Sequence, residues 1–361
     1  MFLAWIRGSE IVVRKPEGDT FVVNSPHAAR AREHHASILR RRAWKTEGTG
    51  AQFMRGGAPA EPVAEGPMHV QPLRLARGLA PGELVYLLHW DTTSGAFRVD
   101  LHDDDVSASE RRIRHGDPLM VDVCADPRGD GFLFACPDMG GMSLGAMGPF
   151  GARADTITEG QASDTEPSPV PGAPAVLYVS RGLASDASGV ARSRGPAEVL
   201  RLDLSTGEVT TVLSEPGFDH RSPKQTADGT LYVLRAPRPK PRPRAAPRAE
   251  WVEILLFPWT LVRGFAMTVF FLFAPVLVRL GMPPAWFVQR SQAHEAPVPV
   301  VWELIRVRGG QTDVVATPVT GFDAAPDGTL VWSDGEAVFQ QMDGETTKVV
   351  DEPEVQVLAL V

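Results

Sequence analysis

One short phrase recurs along this chain, and few folds can use it five times. Residues 321–332 read GFDAAPDGTLVW. Pro326 presets a turn φ, Asp327 can accept hydrogen bonds from nearby backbone, and Gly328 can take φ > 0. Leu330 and Trp332 then alternate with Val331 at the period of two that marks a strand. The phrase returns as TADGTLYVL at 226–234, and more loosely as LAPGELVYL at 79–87, DPRGDGFLF at 126–134 and PGAPAVLYV at 171–179. Five strand–turn–strand units predict an all-β repeat protein, with a period of roughly 40 to 50 residues.

The sequence around these phrases extends each one to about four strands. Thr158-Glu159-Gly160 leads into Pro167-Ser168-Pro169, then a strand ending Tyr178-Val179-Ser180, then a hairpin around Leu202-Asp203-Leu204-Ser205-Thr206-Gly207-Glu208. His220-Arg221-Ser222-Pro223 with Ala227-Asp228-Gly229 repeats the pattern, as does Ala325-Pro326-Asp327-Gly328. This unit resembles the TolB-type β-propeller repeat over about residues 68–236 and 298–351. The resemblance implies a β-propeller fold and is nearly silent on activity. The expected architecture is about seven four-stranded blades, with six or eight as alternatives. Residues 2–6, 10–13 and 20–23 read as three strands lacking a first, and 355–361 as one strand lacking partners, so the C-terminal strand is expected to join the N-terminal ones. Residues 28–42 suggest a helical turn or two on the rim, and 51–54 a strand of a degenerate blade.

A net charge of −8 argues against nucleic acid as a partner, since phosphate binding needs a basic face. Two cysteines are a thin disulfide framework. Cys124 and Cys136 are expected as free thiols, with facing positions across a hairpin as the alternative. The first ten residues carry neither the charged region nor the long apolar run of a signal peptide, which gives a cytoplasmic expectation.

No catalytic, cofactor or metal site is expected. Gly141-Met142-Ser143-Leu144-Gly145 matches the G-x-S-x-G of a hydrolase elbow, but that motif needs a strand before it and a helix after it. A Met- and Gly-rich loop is the expectation there. Asp103-Asp104-Asp105 fits no calcium-loop spacing and is expected as a polar loop. Among the nine histidines the adjacent pair His34 and His35 has the closest spacing, and such pairs are usually surface residues.

The rhythm stops after residue 236. Residues 237–244 alternate proline with base and predict an extended polyproline segment. Residues 251–262 and 264–280 are apolar but for Glu253, Thr260, Thr268 and Arg279, and residues 264–278 carry no charge. A spanning helix needs ~20 such residues. A single crossing would put the two parts of one propeller on opposite sides of a bilayer. A hairpin would carry Arg263 at its tip, at a cost of about 3 kcal/mol or more near the bilayer centre. An apolar helical insertion lying in the headgroup region is the economical alternative. Its contact residues would be Trp251, Leu255, Leu256, Phe257, Trp259, Phe265, Phe270, Phe271, Phe273, Trp286 and Phe287. Arg238, Lys240, Arg242, Arg244 and Arg248 would meet anionic lipid. The same surface could instead bury against a partner protein, a second copy or its own propeller, since about ten such side chains are worth ~1.5–3 kcal/mol each.

The expected organisation is therefore a propeller in two parts, 1–236 and 298–361, with a Pro/Arg-rich linker and apolar insertion at 237–297. The expected function is a non-enzymatic, membrane-associated scaffold or assembly subunit, peripheral or monotopic. The alternatives are a hydrolase or lactonase-like enzyme with a central-face site, and a soluble peptide-binding propeller whose insertion clamps the partner.

Overall fold

The computed structural model describes residues 1–46, 68–90, 92–138, 141–151, 154–185, 191–238, 300–353, 355 and 357–361. Two units separate along the chain, Met1–Arg238 with Val301–Val361, and Pro239–Val300. All the described strands belong to the first. The strand expected at 51–54, the proline-rich linker from residue 239 and the apolar insertion lie outside the described residues.

The unit is all-β apart from one helix, and its sheets form a propeller-like ring. The strands β1 (Leu3–Arg7), β2 (Glu10–Arg14) and β3 (Thr20–Val23) come first and are followed by α1 (Pro26–Thr46). Next come β4 (Gln71–Arg77), β5 (Glu83–Trp90), β6 (Thr93–Asp100) and β7 (Arg111–His115), which form one antiparallel sheet in that order. Eight strands follow: β8 (Asp122–Ala125), β9 (Phe132–Asp138), β10 (Gly141–Met147), β11 (Ala154–Thr156), β12 (Ala162–Pro169), β13 (Ala175–Ser185), β14 (Ala191–Asp203) and β15 (Val209–Leu213). They make two antiparallel groups of four, joined by a single parallel pair, Met142↔Ser163. Then β16 (Phe218–Gln225), β17 (Leu231–Pro237), β18 (Glu303–Arg308) and β19 (Gln311–Ala316) form a sheet, as do β20 (Gly321–Ala324), β21 (Leu330–Ser333), β22 (Val338–Met342) and β23 (Glu345–Val350). Finally β24 (Leu358–Leu360) pairs antiparallel with β1, Leu3 facing Leu360 and Trp5 facing Leu358.

The recurring phrase makes the same turn five times, between the first and second strands of five groups. In the last copy Thr329 N donates to the Asp327 carboxylate at 2.9 Å, Gly328 N to Ala325 O at 3.1 Å, and Gly328 has φ +95°. The corresponding glycines 82, 129, 172 and 229 have φ of +75°, +82°, +71° and +84°. In the sheet of β24 and β1, no turn joins the two strands. Instead Phe2 and Val361 exchange backbone hydrogen bonds of 2.9 and 3.0 Å.

The middle strands bury both faces, which explains their near-continuous apolar runs. On β5, Leu84, Tyr86 and Leu88 pack toward β1–β3, while Val85 and Leu87 pack toward β8 and β9. On β9, Phe132 and Phe134 share that second cluster, and Leu133 and Ala135 face β13 and β14. Further clusters join β13 to β17 and β17 to β21, and a last one joins β21 back to β1 through Val331, Trp5 and Leu358. The outer strands β15, β19 and β23 are exposed and carry Thr, Gln, Asp and Lys, residues that discourage edge-to-edge association.

Two local expectations are corrected. Instead of a turn or two, α1 is a helix of 21 residues. Ser25 caps it, accepting from Ala28 N at 3.1 Å, with Pro26 at the first helical position, where no N–H is needed. Residues 141–147 are a strand and not a loop, because Leu144 and Met147 are core residues. Both cysteines are free, as expected, and the alternative falls away, since Cys124 faces Leu133 across the hairpin and not Cys136.

The start of α1 is docked on β4–β7. Glu110 accepts from His27 N at 3.0 Å, from the Ser25 hydroxyl and from the Tyr86 hydroxyl. The His27 ring lies 4.7 Å from Phe97, 5.4 Å from His115 and 5.7 Å from Trp90, centroid to centroid. Burial, with His115 and Arg112 nearby, lowers the His27 pKa despite Glu110.

Two outcomes follow from this packing. Leu360→Ala should lower the unfolding free energy by about 2–5 kcal/mol, read from urea midpoints, because Leu360 is 2% exposed and sits in the cluster that links β21 to β1. A depressed histidine pKa stabilises the fold above its ordinary value of 6.5 and loses that contribution as pH falls below it. His27→Gln should therefore reduce the drop in stability between about pH 7.5 and about pH 5.5, and an unchanged drop would count against this docking.

Candidate functional site

The first strand of each group faces the centre of the ring. β4, β8, β12, β16, β20 and β24 together line one cavity of about 310 Å³. Its polar lining comes from single residues far apart in sequence, arranged in two tiers.

In one tier Arg74 pairs with Asp122 and reaches Glu166 at 3.6 Å. Arg221 Nε and Nη2 lie 3.0 and 2.9 Å from Glu166 Oε1. The Arg221 guanidinium also stands 5.3 Å from the Trp302 ring centroid. In the other tier Lys224 Nζ is 2.9 Å from Asp323 Oδ1, and Arg77 Nε donates to Leu360 O at 3.3 Å.

Each carboxylate also takes a backbone N–H from the following inner strand. Glu166 N donates to Asp122 Oδ2 at 3.3 Å, Ser222 N donates to Glu166 Oε2, and Leu360 N donates to Asp323 Oδ2 at 2.8 Å. Apart from the single β12–β10 pair at Ser163, the inner strands have no partner strand on the axial side, and these side chains satisfy donors there. The arrangement distorts the backbone. Glu166 and Ser222 have φ of +56° and +52°, each within a bulge of its strand. Left-handed φ costs a non-glycine residue about 1–2 kcal/mol, and the bonds to Glu166 hold both residues there.

The charges are tuned by their burial and partners. Burial opposes the charge on Lys224, but Asp323 outweighs it and the ammonium pKa is raised. The same contest raises Arg74, through Asp122 and Glu166. Burial raises the Asp122 carboxyl against the pull of Arg74, and the Glu166 charge adds to the rise. Burial also pushes the Cys124 thiol far above its ordinary range.

The contact residues expected from sequence, Trp251 through Phe287, and Lys240, Arg242, Arg244 and Arg248, lie outside the described residues. Arg238 is described. Its N donates to Gly217 O at 2.7 Å and its guanidinium to Arg194 O, at the end of β17. Ser143 is buried in β10 and donates to Asp138 at 2.8 Å, so its motif forms no strand-to-helix elbow. Asp103–Asp105 lie in exposed turns. His34 is exposed and His35 half-buried, both on α1. Among the described residues no three His, Cys, Asp or Glu side chains group as metal ligands, and no helix is long and apolar enough to cross a membrane.

The axial residues were not singled out from sequence, yet a signal exists. Counting back five residues from the turn glycines 82, 129, 229 and 328 gives Arg77, Cys124, Lys224 and Asp323, all lining the cavity. Counting back eight from glycines 82 and 229 gives Arg74 and Arg221.

A ring of small antiparallel sheets around a charged axial cavity defines a β-propeller. Its fold is that of the TolB-type propellers. TolB from Acinetobacter baumannii superposes with a TM-score of 0.52 at 12% identity, covering 99% of this chain. The chain spans 66% of that protein's length. A putative TolB from Agrobacterium tumefaciens gives a TM-score of 0.46 at 14% identity, covering 81% of this chain and 84% of its own. No family model matches the chain, and no curated protein matches it.

Arg74→Met should destabilise the protein by about 3–5 kcal/mol in urea unfolding, because it strips a partner from two buried carboxylates. A loss below about 1 kcal/mol would mean that the pairing is solvated like an ordinary surface bridge.

Proposed function

We propose that the protein is a non-enzymatic interaction scaffold: a six-bladed propeller, closed by β24 on β1, that offers its axial cavity as a recognition site. The single observation that carries the binding reading is the state of the cavity's carboxylates. Asp122, Glu166 and Asp323 each hold a cation and a backbone N–H. A carboxylate so occupied is a poor general base, and the neighbouring thiol of Cys124 is held protonated by burial. Such a lining recognises a molecule more readily than it transforms one.

The second half of the proposal concerns residues 251–288 and rests on sequence. Their apolar side chains need a host other than water, and a membrane surface suits them best. The bases from Arg238 to Arg248 would then face anionic headgroups on the cytoplasmic side. The propeller does not need this segment to complete its sheet. β17 and β18 pair directly, from Leu231↔Val307 to Arg235↔Glu303, across the point where the segment leaves and returns. A protein partner held by the same residues is the competing host.

Replacing residues 239–297 by a short Gly-Ser linker tests this. The full chain should sediment with vesicles containing anionic lipid, and the shortened chain should stay in the supernatant while keeping a single cooperative unfolding transition. Two soluble, monodisperse proteins would rule out the anchoring. Sedimentation of the full chain only with one particular protein would assign the segment to that partner instead.

A further inference from the structure

We propose that the Arg77–Lys224 end of the axial cavity binds the carboxylate of a small organic acid. This rests on the reading of the cavity as a recognition site and takes nothing from the anchoring. In the tier of Arg74 and Arg221, two cations meet two carboxylates, Asp122 and Glu166. In the other tier Arg77 and Lys224 have Asp323 alone. That end of the cavity carries one surplus positive charge, in a chain whose net charge is −8.

The hydrogen-bond inventory points the same way. One oxygen of Asp323 is taken by Lys224 and the other by Leu360 N. Arg77 has no carboxylate partner among the described residues, and its Nε donates to a backbone carbonyl. Its two terminal nitrogens have no protein acceptor among the described residues, and its charge acts on Lys224. Arg77 and the Lys224–Asp323 pair together carry one net positive charge, which a bound anion would balance.

A carboxylate answers each of these features. Its two oxygens match the planar guanidinium fork, and its single charge equals the surplus. A phosphate dianion would exceed that surplus beside Asp323. The body of the ligand is set by the rest of the lining, where Leu234, Phe322, Leu358 and Leu360 are buried apolar residues and the prolines 169 and 326 add further apolar surface. A cavity of about 310 Å³ lies at the small end of ligand pockets, which suits a compact acid with an apolar tail.

The repeat makes this end distinct from an accident of surface charge. Arg77, Lys224 and Asp323 occupy the same position relative to their turn glycines, and so face one another around the axis. A site assembled from equivalent positions of three groups is preorganised by the ring itself.

Calorimetric titration and thermal denaturation of the full chain with hexanoate, hexanamide and inorganic phosphate test the proposal. Hexanoate should bind saturably and raise Tm, while hexanamide and phosphate should do neither. Arg77→Gln should leave the far-UV circular dichroism of the unliganded protein unchanged and weaken hexanoate by about tenfold or more. The proposal fails if neither hexanoate nor phenylacetate binds by about 10 mM, if the amide binds as well as the acid, or if Arg77→Gln changes nothing. Binding of a free-acid peptide where both small acids fail would also overturn it, yet would leave the cavity a recognition site.

Discussion

An inner strand in a ring of sheets has one edge with almost no strand beside it, here only the Met142↔Ser163 pair on β12, and its backbone donors on that edge must find other partners. In this protein the partner is a carboxylate from the preceding inner strand: Asp122 for Glu166, Glu166 for Ser222, Asp323 for Leu360. The need to satisfy those edges explains why acids stand at the axis at all. Acids so placed are buried, and buried carboxylates call for cations. Arg74, Arg221 and Lys224 supply them. The charged cavity is therefore first a consequence of the architecture. Its function begins where the cations exceed what the architecture requires.

The turns were legible in the sequence because turn chemistry is local. Asp327 and Gly328 act within their own four residues, and nothing distant can change what they do. The middle strands were legible for a related reason, since burial on both faces leaves a continuous apolar run such as Leu84–Leu88. Helix α1 was read short. Its sequence, rich in Ala, Arg and His, has little apolar periodicity, and its start is fixed by Glu110, a residue more than eighty positions away. The strand at Gly141–Met147 was hidden by glycines that mark close approach rather than a loop. A Cβ on Gly141 would meet Ala162 O at 1.9 Å, and one on Gly145 the Phe134 ring at 2.5 Å.

The axial site was the least legible part. Each of its charges is a lone residue in its own repeat, and the ion pairs they form span 48 to 99 positions. No local window joins Arg74 to Asp122 or Lys224 to Asp323. The repeats do join them once they are aligned on the turn glycines, because the ring converts equal offsets into spatial neighbours. The apolar segment at 251–288 is the reverse case, prominent in sequence and outside the described residues.

The exchange of hydrogen bonds between Phe2 and Val361 has a consequence for how the chain could be rewired. Those two residues stand where the other five groups have a tight turn, so in a chain cut to residues 2–361 a few linking residues there would supply such a turn. New termini could then be opened at any of the five turns, for instance beside Gly328. The order of the strands in the gene would change and their order around the axis would not, making the protein a natural candidate for circular permutation.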